Sequence, residues 1–129
     1  MKVLEVLKQL FIDELGVDVQ KNVKSRKKPL VEARFMFYTL AVDIGIHYFL
    51  ICKFLRKTRY FKYHATENHY NFLKHDNIYQ QKFEYIKQRW KIRLEDINEE
   101  EIIKARNYRK IKLFYKLKRE LRNVLWTEK

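Results

Sequence analysis

Hydrophobic positions recur at helical spacing from almost the first residue of the chain. Leu4, Leu7, Phe11 and Leu15 stand three and four apart and share one face, which predicts a helix from Lys2 to Leu15 with Gly16 as its left-handed cap. Asp18 is placed to cap a short helical turn over residues 19–23, and a basic linker, Lys24 to Lys28, follows. Pro29 suits the first turn of a second helix, where its missing amide donor costs nothing. Leu30, Val31, Ala33, Phe37, Leu40, Ala41 and Ile44 give that helix its apolar residues before Gly45 stops it. Residues 47–57 read as a third helix, too apolar for the surface. A turn over residues 58–63 then leads into a helix beginning near His64, which buries Ala65, Phe72 and Leu73 and breaks at Asp76-Asn77. Residues 78–95 pack Phe83, Ile86, Trp90 and Leu94. A last helix begins at Asn98, whose side chain is expected to form a reciprocal capping pair with Glu101, and runs past Leu125.

Composition sharpens this into a fold class. Two Gly and one Pro among 129 residues leave too few turns for a sandwich or barrel, so the expectation is all-α, with one core for a chain of this length. The apolar stretch from Phe35 to Cys52 carries Asp43, Gly45 and His47 in its middle, which suits two buried helices joined at Gly45 better than a membrane span. Cys52 is the single cysteine and sits in the apolar run Tyr48-Phe49-Leu50-Ile51-Cys52, as a buried thiol in a reducing compartment would. The first residues carry an early acid and no small-residue cleavage site, so no signal peptide is read there and a cytoplasmic location is expected.

The formal charge of +13 points to a polyanionic partner, with nucleic acid ahead of an anionic membrane surface. The excess is uneven: residues 24–90 carry 14 Lys/Arg against 5 Asp/Glu, whereas residues 1–23 carry 3 against 4. Most of the positive field therefore surrounds two segments, Ser25-Arg26-Lys27-Lys28-Pro29 running into Ala33-Arg34, and His64-Ala65-Thr66-Glu67-Asn68-His69. Two core helices, a turn and a helix with a polar tip describe a helix-turn-helix, whose third helix enters the major groove of DNA.

These segments resemble the C-terminal DNA-binding domain of the bacterial replication initiator DnaA, over roughly residues 10–90. Phe11 to Val19 running into Lys24-Ser25-Arg26 resembles that family's short helix and Ser-Arg-Ser linker. Ala33-Arg34-Phe35 stands where the family has Ala-Arg-Gln, and Tyr63-His64-Ala65-Thr66-Glu67-Asn68-His69 matches part of its Asp-His-Thr-Thr-Val-x-His signature. The resemblance implies a trp-repressor-like helix-turn-helix domain with an added C-terminal helical extension. It implies Arg26 in the minor groove, Arg34 near the phosphate backbone, His64 against a base edge and Thr66 on a phosphate or base. Lys27, Lys28, Arg59 and Lys62 are expected to add phosphate contacts, with Asn68 and His69 also placed among the DNA-facing residues, although His69 is read foremost as packing at the rear of the helix and otherwise as meeting a phosphate. The chain departs from the family at Tyr63 and Ala65 and in a longer turn, Arg56 to Lys62, so the preferred DNA sequence is expected to differ.

With only Gly16 and Gly45, the chain has no Gly-rich phosphate-binding loop and is not read as an ATP-driven initiator; no paired acid and base stands in an interpretable setting, so the expectation is a small replication-accessory protein or transcriptional regulator that is not an enzyme, with no cofactor. His64, His69 and His75 are spaced by five and six, which does not put three metal ligands on one helical face, and no metal is expected. The expected division is a helix-turn-helix domain over residues 1–95 and a basic helix over residues 96–129. Nine Lys/Arg face one acid, Glu120, between Lys104 and Arg122, with Tyr108, Phe114 and Tyr115 interleaved. That helix is read first as packing on the domain or forming a homo-oligomer, then as an extra phosphate-contacting surface, then as a membrane-surface helix. Double-stranded DNA is the leading partner. The alternative is an interaction module that has lost base reading and binds a replication or transcription protein, and RNA stacking on nine Tyr and nine Phe stands third.

Overall fold

The computed structural model describes residues 1–22, 24–107 and 116–122. These residues are all-helical: α1 (Lys2–Leu15), α2 (Lys28–Asp43), α3 (Tyr48–Phe54), α4 (Phe61–His75), α5 (Asn77–Glu95) and α6 (Glu99–Arg106), with a further helical segment, α7, over 116–122. The all-α expectation holds among them.

α1 follows its apolar spacing. Leu4, Leu7 and Phe11 are fully buried together with Val3 and Leu10, and Phe11 meets Phe37 of α2 edge-on at 5.7 Å. Gly16 has φ 66°, and its N–H reaches the carbonyl of Ile12 while that of Val17 reaches Phe11, so the two bonds close the helix end. The chain then departs from the expected helical turn. Asp18 accepts from the Gln20 amide at 2.9 Å through its side chain, and residues 19–22 form bends and turns instead of helix. A short carboxylate that satisfies an amide two residues on competes with helix propagation.

α2 is the central element, packed against α1, α3, α4 and α5, with Pro29 in its first turn. α3 is shorter than expected, opening on His47, whose Nδ1 accepts from the Phe49 amide, and ending at Phe54. α4 begins three residues before His64. Phe61 is buried, stacked on Phe35 at 6.0 Å and edge-on to Tyr38 at 5.9 Å, so this aromatic anchor is taken into the helix that a polarity reading starts later. Asp76 separates α4 from α5 and caps the latter by accepting from the Tyr79 amide at 3.1 Å. α5 buries Tyr79, Phe83, Ile86 and Trp90 and is tied to α1 by Arg93 to Asp13 at 2.7 Å and the Tyr85 hydroxyl to Glu14 at 2.6 Å.

The C-terminal part does not continue as one helix from Asn98. Asn98 caps α6 through the Glu100 amide, but Glu101 pairs with Lys104 at 4.0 Å in place of the reciprocal bond, and α6 ends at Arg106. The rest of the expected helix over residues 108–115 and 123–129 lies outside the described residues. α6 packs on α1 through buried Ala105, and Arg106 donates to the carbonyl of Ile44. The Arg106 side chain also crosses Gly45, where a β-carbon would come within 3.0 Å of it at a φ of 94°. The start of the extension is therefore docked on the helical body. No described helix is long and apolar enough to cross a membrane.

Candidate nucleic-acid interface

Two loops far apart in sequence form the walls of one groove. The first is the basic linker before α2, held in place by Arg34. The Arg34 side chain is 1 % exposed, and its guanidinium donates to the carbonyls of Val19 at 3.1 Å, Lys21 at 2.8 Å, Asn22 at 3.0 Å and Ser25 at 3.4 Å. Burial pushes its pKa below the ordinary arginine value. A five-donor fork suits such a fan of carbonyls. Arg34, expected near the phosphate backbone, is among the residues lining the groove, but four of its five N–H donors are engaged by the chain's own carbonyls, so it shapes the wall from inside.

The second wall is the α3–α4 turn. α3 ends with the N–H of Arg56 on the Lys53 carbonyl and that of Lys57 on the Cys52 carbonyl, a paired closure that puts Arg56 at φ 58°. Glycine is the usual occupant of that position, and an L side chain there costs about 1–2 kcal/mol. Arg56→Gly is therefore expected to raise stability in urea unfolding by about 1 kcal/mol while weakening polyanion binding. A variant that gains stability and keeps full affinity would remove Arg56 from the interface.

Between the walls lies a cavity of about 1020 Å³. Lys24, Ser25 and Arg26 come from the linker, Arg56, Lys57, Thr58 and Tyr60 from the turn, and His64 from α4, over a floor that includes Phe35 and Phe61. Among the described residues no acidic side chain lines it. Burial, reinforced by the charge of Arg34, draws the Lys57 ammonium below the ordinary lysine pKa.

His64 is oriented for donation. The Asn68 side-chain nitrogen donates to the His64 carbonyl at 2.7 Å and lies 3.1 Å from His64 Nδ1. A carbonyl can only accept, so the amide group is fixed, Nδ1 of the neutral ring accepts and Nε2 carries the proton. The ring also stands edge-on to Phe35 at 5.3 Å.

The other expected site residues divide. Thr66 is exposed but donates to the Lys62 carbonyl at 2.7 Å, so Thr66 and Asn68 both bond back to their own helix. His69 is buried, hydrogen-bonded through Nδ1 to the Tyr79 hydroxyl and edge-on to Phe83 at 4.5 Å, with burial holding its pKa at about 4. It packs at the rear of α4 against α5, which corrects its assignment to the DNA-facing surface. Lys28 lies 3.8 Å from Glu32 and 3.9 Å from Asp76, and Lys62 sits over the Tyr48 ring at 4.2 Å. Neither lines the cavity. Lys27 is exposed next to Arg26, and Arg59 covers the Tyr60 ring at 5.4 Å. Of the expected solvent-facing residues, Arg26 and His64 are thus the pair brought together, while Lys24, Arg56, Lys57 and Tyr60 were missed. The signal for them was the density of cations in Arg56-Lys57-Thr58-Arg59 directly before the polar helix. Comparison with protein-family models, curated proteins and solved structures finds no match to this chain.

Proposed function

We propose that the chain binds double-stranded DNA, with one sugar–phosphate strand lying along the groove and Arg26 and His64 reaching the bases beside it. The observation that carries this reading is that Arg26 and His64 line one cavity whose walls also hold Lys24, Arg56 and Lys57, with no acid among its described lining residues. Cations arranged along a concave surface displace the counterions of a phosphodiester backbone, which supplies affinity regardless of sequence. The Nε2–H of His64 is a donor suited to the N7 and O6 acceptors that purines present in the major groove. Selectivity rests on His64 and Arg26, because Thr66 and Asn68 are engaged within α4. The resemblance to the DnaA domain supports the same partner and a trp-repressor-like arrangement of α2, α3 and α4, in a replication-accessory or regulatory role.

Selection from a random duplex pool, followed by titration of the enriched duplex against a scrambled one, tests the proposal. His64→Ala is expected to bring the two affinities together, a loss of about 1–3 kcal/mol of discrimination, while salt-dependent binding persists. The double variant Lys24→Gln/Arg26→Gln should weaken every duplex and flatten the salt slope by roughly two. Preserved discrimination in His64→Ala would defeat the base-reading role. Absence of duplex binding at low salt would favour the protein-interaction alternative, to which the exposed Tyr63 and Tyr70 rings of α4 lend themselves.

A further inference from the structure

We infer that the groove accepts a single unpaired nucleotide of a DNA strand, with its base stacked on Tyr60; this deepens the duplex-binding proposal and rests on it. The shape is the first ground. A concavity of about 1020 Å³ is at the upper end of pockets that enclose small molecules, roughly 300–1,000 Å³. A double helix is itself the convex partner, offering grooves about 12 Å and 6 Å wide for protein to enter. Beside a strand lying along it, a groove of this size has room for one base swung out of the stack.

The second ground is that both halves of a nucleotide are matched. Lys24, Arg26, Arg56 and Lys57 serve the phosphate. The first amides of α4 do not, since those of Phe61, Lys62 and Tyr63 already bond to the carbonyls of Thr58, Arg59 and Tyr60. The base half meets aromatic surface. Phe35 and Phe61 are nearly closed off at 2 % and 8 % exposure, whereas the Tyr60 ring is 65 % exposed at the cavity wall. The Arg59 guanidinium lies over that ring at 5.4 Å. An open phenol ring and a planar cation are the two surfaces on which proteins stack unpaired bases. A site for phosphate alone has no use for the ring.

The test uses the full chain and three labelled duplexes that differ in one strand: fully paired, with one bulged deoxyadenosine, and with an abasic site in the same bulge. The bulged duplex is expected to bind roughly 5- to 150-fold more tightly than the paired one, and the abasic bulge to return to the paired level. Tyr60→Leu should erase the difference between bulged and paired duplexes and Tyr60→Trp should keep it, with the urea midpoint unchanged in both. Equal affinity for paired and bulged duplexes overturns this inference and leaves duplex binding standing. A gain that survives Tyr60→Leu also overturns it. Free deoxyadenosine monophosphate binding as tightly as the bulged duplex overturns the assignment to a strand. Failure of all three duplexes to bind removes both proposals together.

Discussion

Arg34→Met is expected to cost about 3–5 kcal/mol of stability and to weaken duplex binding by releasing the basic linker that forms one wall of the groove. The guanidinium satisfies the carbonyls of Val19, Lys21, Asn22 and Ser25, and the bond to Val19 is buried. Hydrogen bonds to a charged donor contribute about 1.5–3 kcal/mol each, and those carbonyls that can turn to water recover part of the loss. Methionine fills the stem volume but leaves the buried carbonyl unpaired. It also releases the linker, so Lys24 and Arg26 lose their fixed positions on the groove wall. Arg34→Lys separates this clamp from a phosphate contact: a point charge would serve a phosphate nearly as well, but its three donors do not fit the spread of carbonyls that a planar fork spans. Urea unfolding should place Arg34→Lys about 2 kcal/mol below the parent. A midpoint unchanged by either substitution would show that the linker holds itself.

The contrast between Arg34 and its neighbours shows which parts of the structure are legible in the sequence. α1 and α5 are, because a one-sided apolar stripe and a capping residue, Gly16 or Asp76, state the face and an end of each helix. The all-α class follows from the scarcity of Gly and Pro. Charge identity says nothing of direction, however. Arg26 and Arg34 look equivalent in a basic segment, yet the second lies on the inner face of a helix that is buried almost throughout, so its charge is turned to the backbone. The start of α4 was misplaced for a related reason: Phe61 belongs to a cluster with Phe35 and Tyr38, and such a contact across elements has no local signature. Arg56 is hidden too, since a left-handed helix end is ordinarily announced by glycine and here is occupied by a cation. The groove is a product of these three tertiary facts, while the two segments that border it were visible from their composition.

Acidification should unfold the chain through His69. Its folded-state pKa is about 4 because the ring is buried between α4 and α5, against an ordinary value of 6.5 in the unfolded chain. The Tyr79 phenol, pushed upward by its own burial and by nearby Glu32, stays protonated and is hydrogen-bonded to Nδ1. Between the two pKa values the unfolded chain binds a proton that the folded chain refuses, so acid favours unfolding. This contribution is fully present above pH 6.5 and is lost as pH falls, at about 1.4 kcal/mol per pH unit and about 3 kcal/mol in all by pH 4. The paired variant His69→Phe/Tyr79→Phe removes both hydrogen-bonding partners at once and so avoids stranding either one. Its stability at pH 7.5 should stay within about 1.5 kcal/mol of the parent, while its urea midpoint loses the His69 component of the decline between pH 6.5 and 4. Carboxylates elsewhere titrate equally in both proteins, so the difference between the two curves isolates the histidine. Parallel curves would mean that the α4–α5 contact admits the proton. A parent curve that falls more steeply than the variant's would make this contact, on the opposite face of α4 from the groove, the element through which acid dislodges His64 from its position beside Arg26.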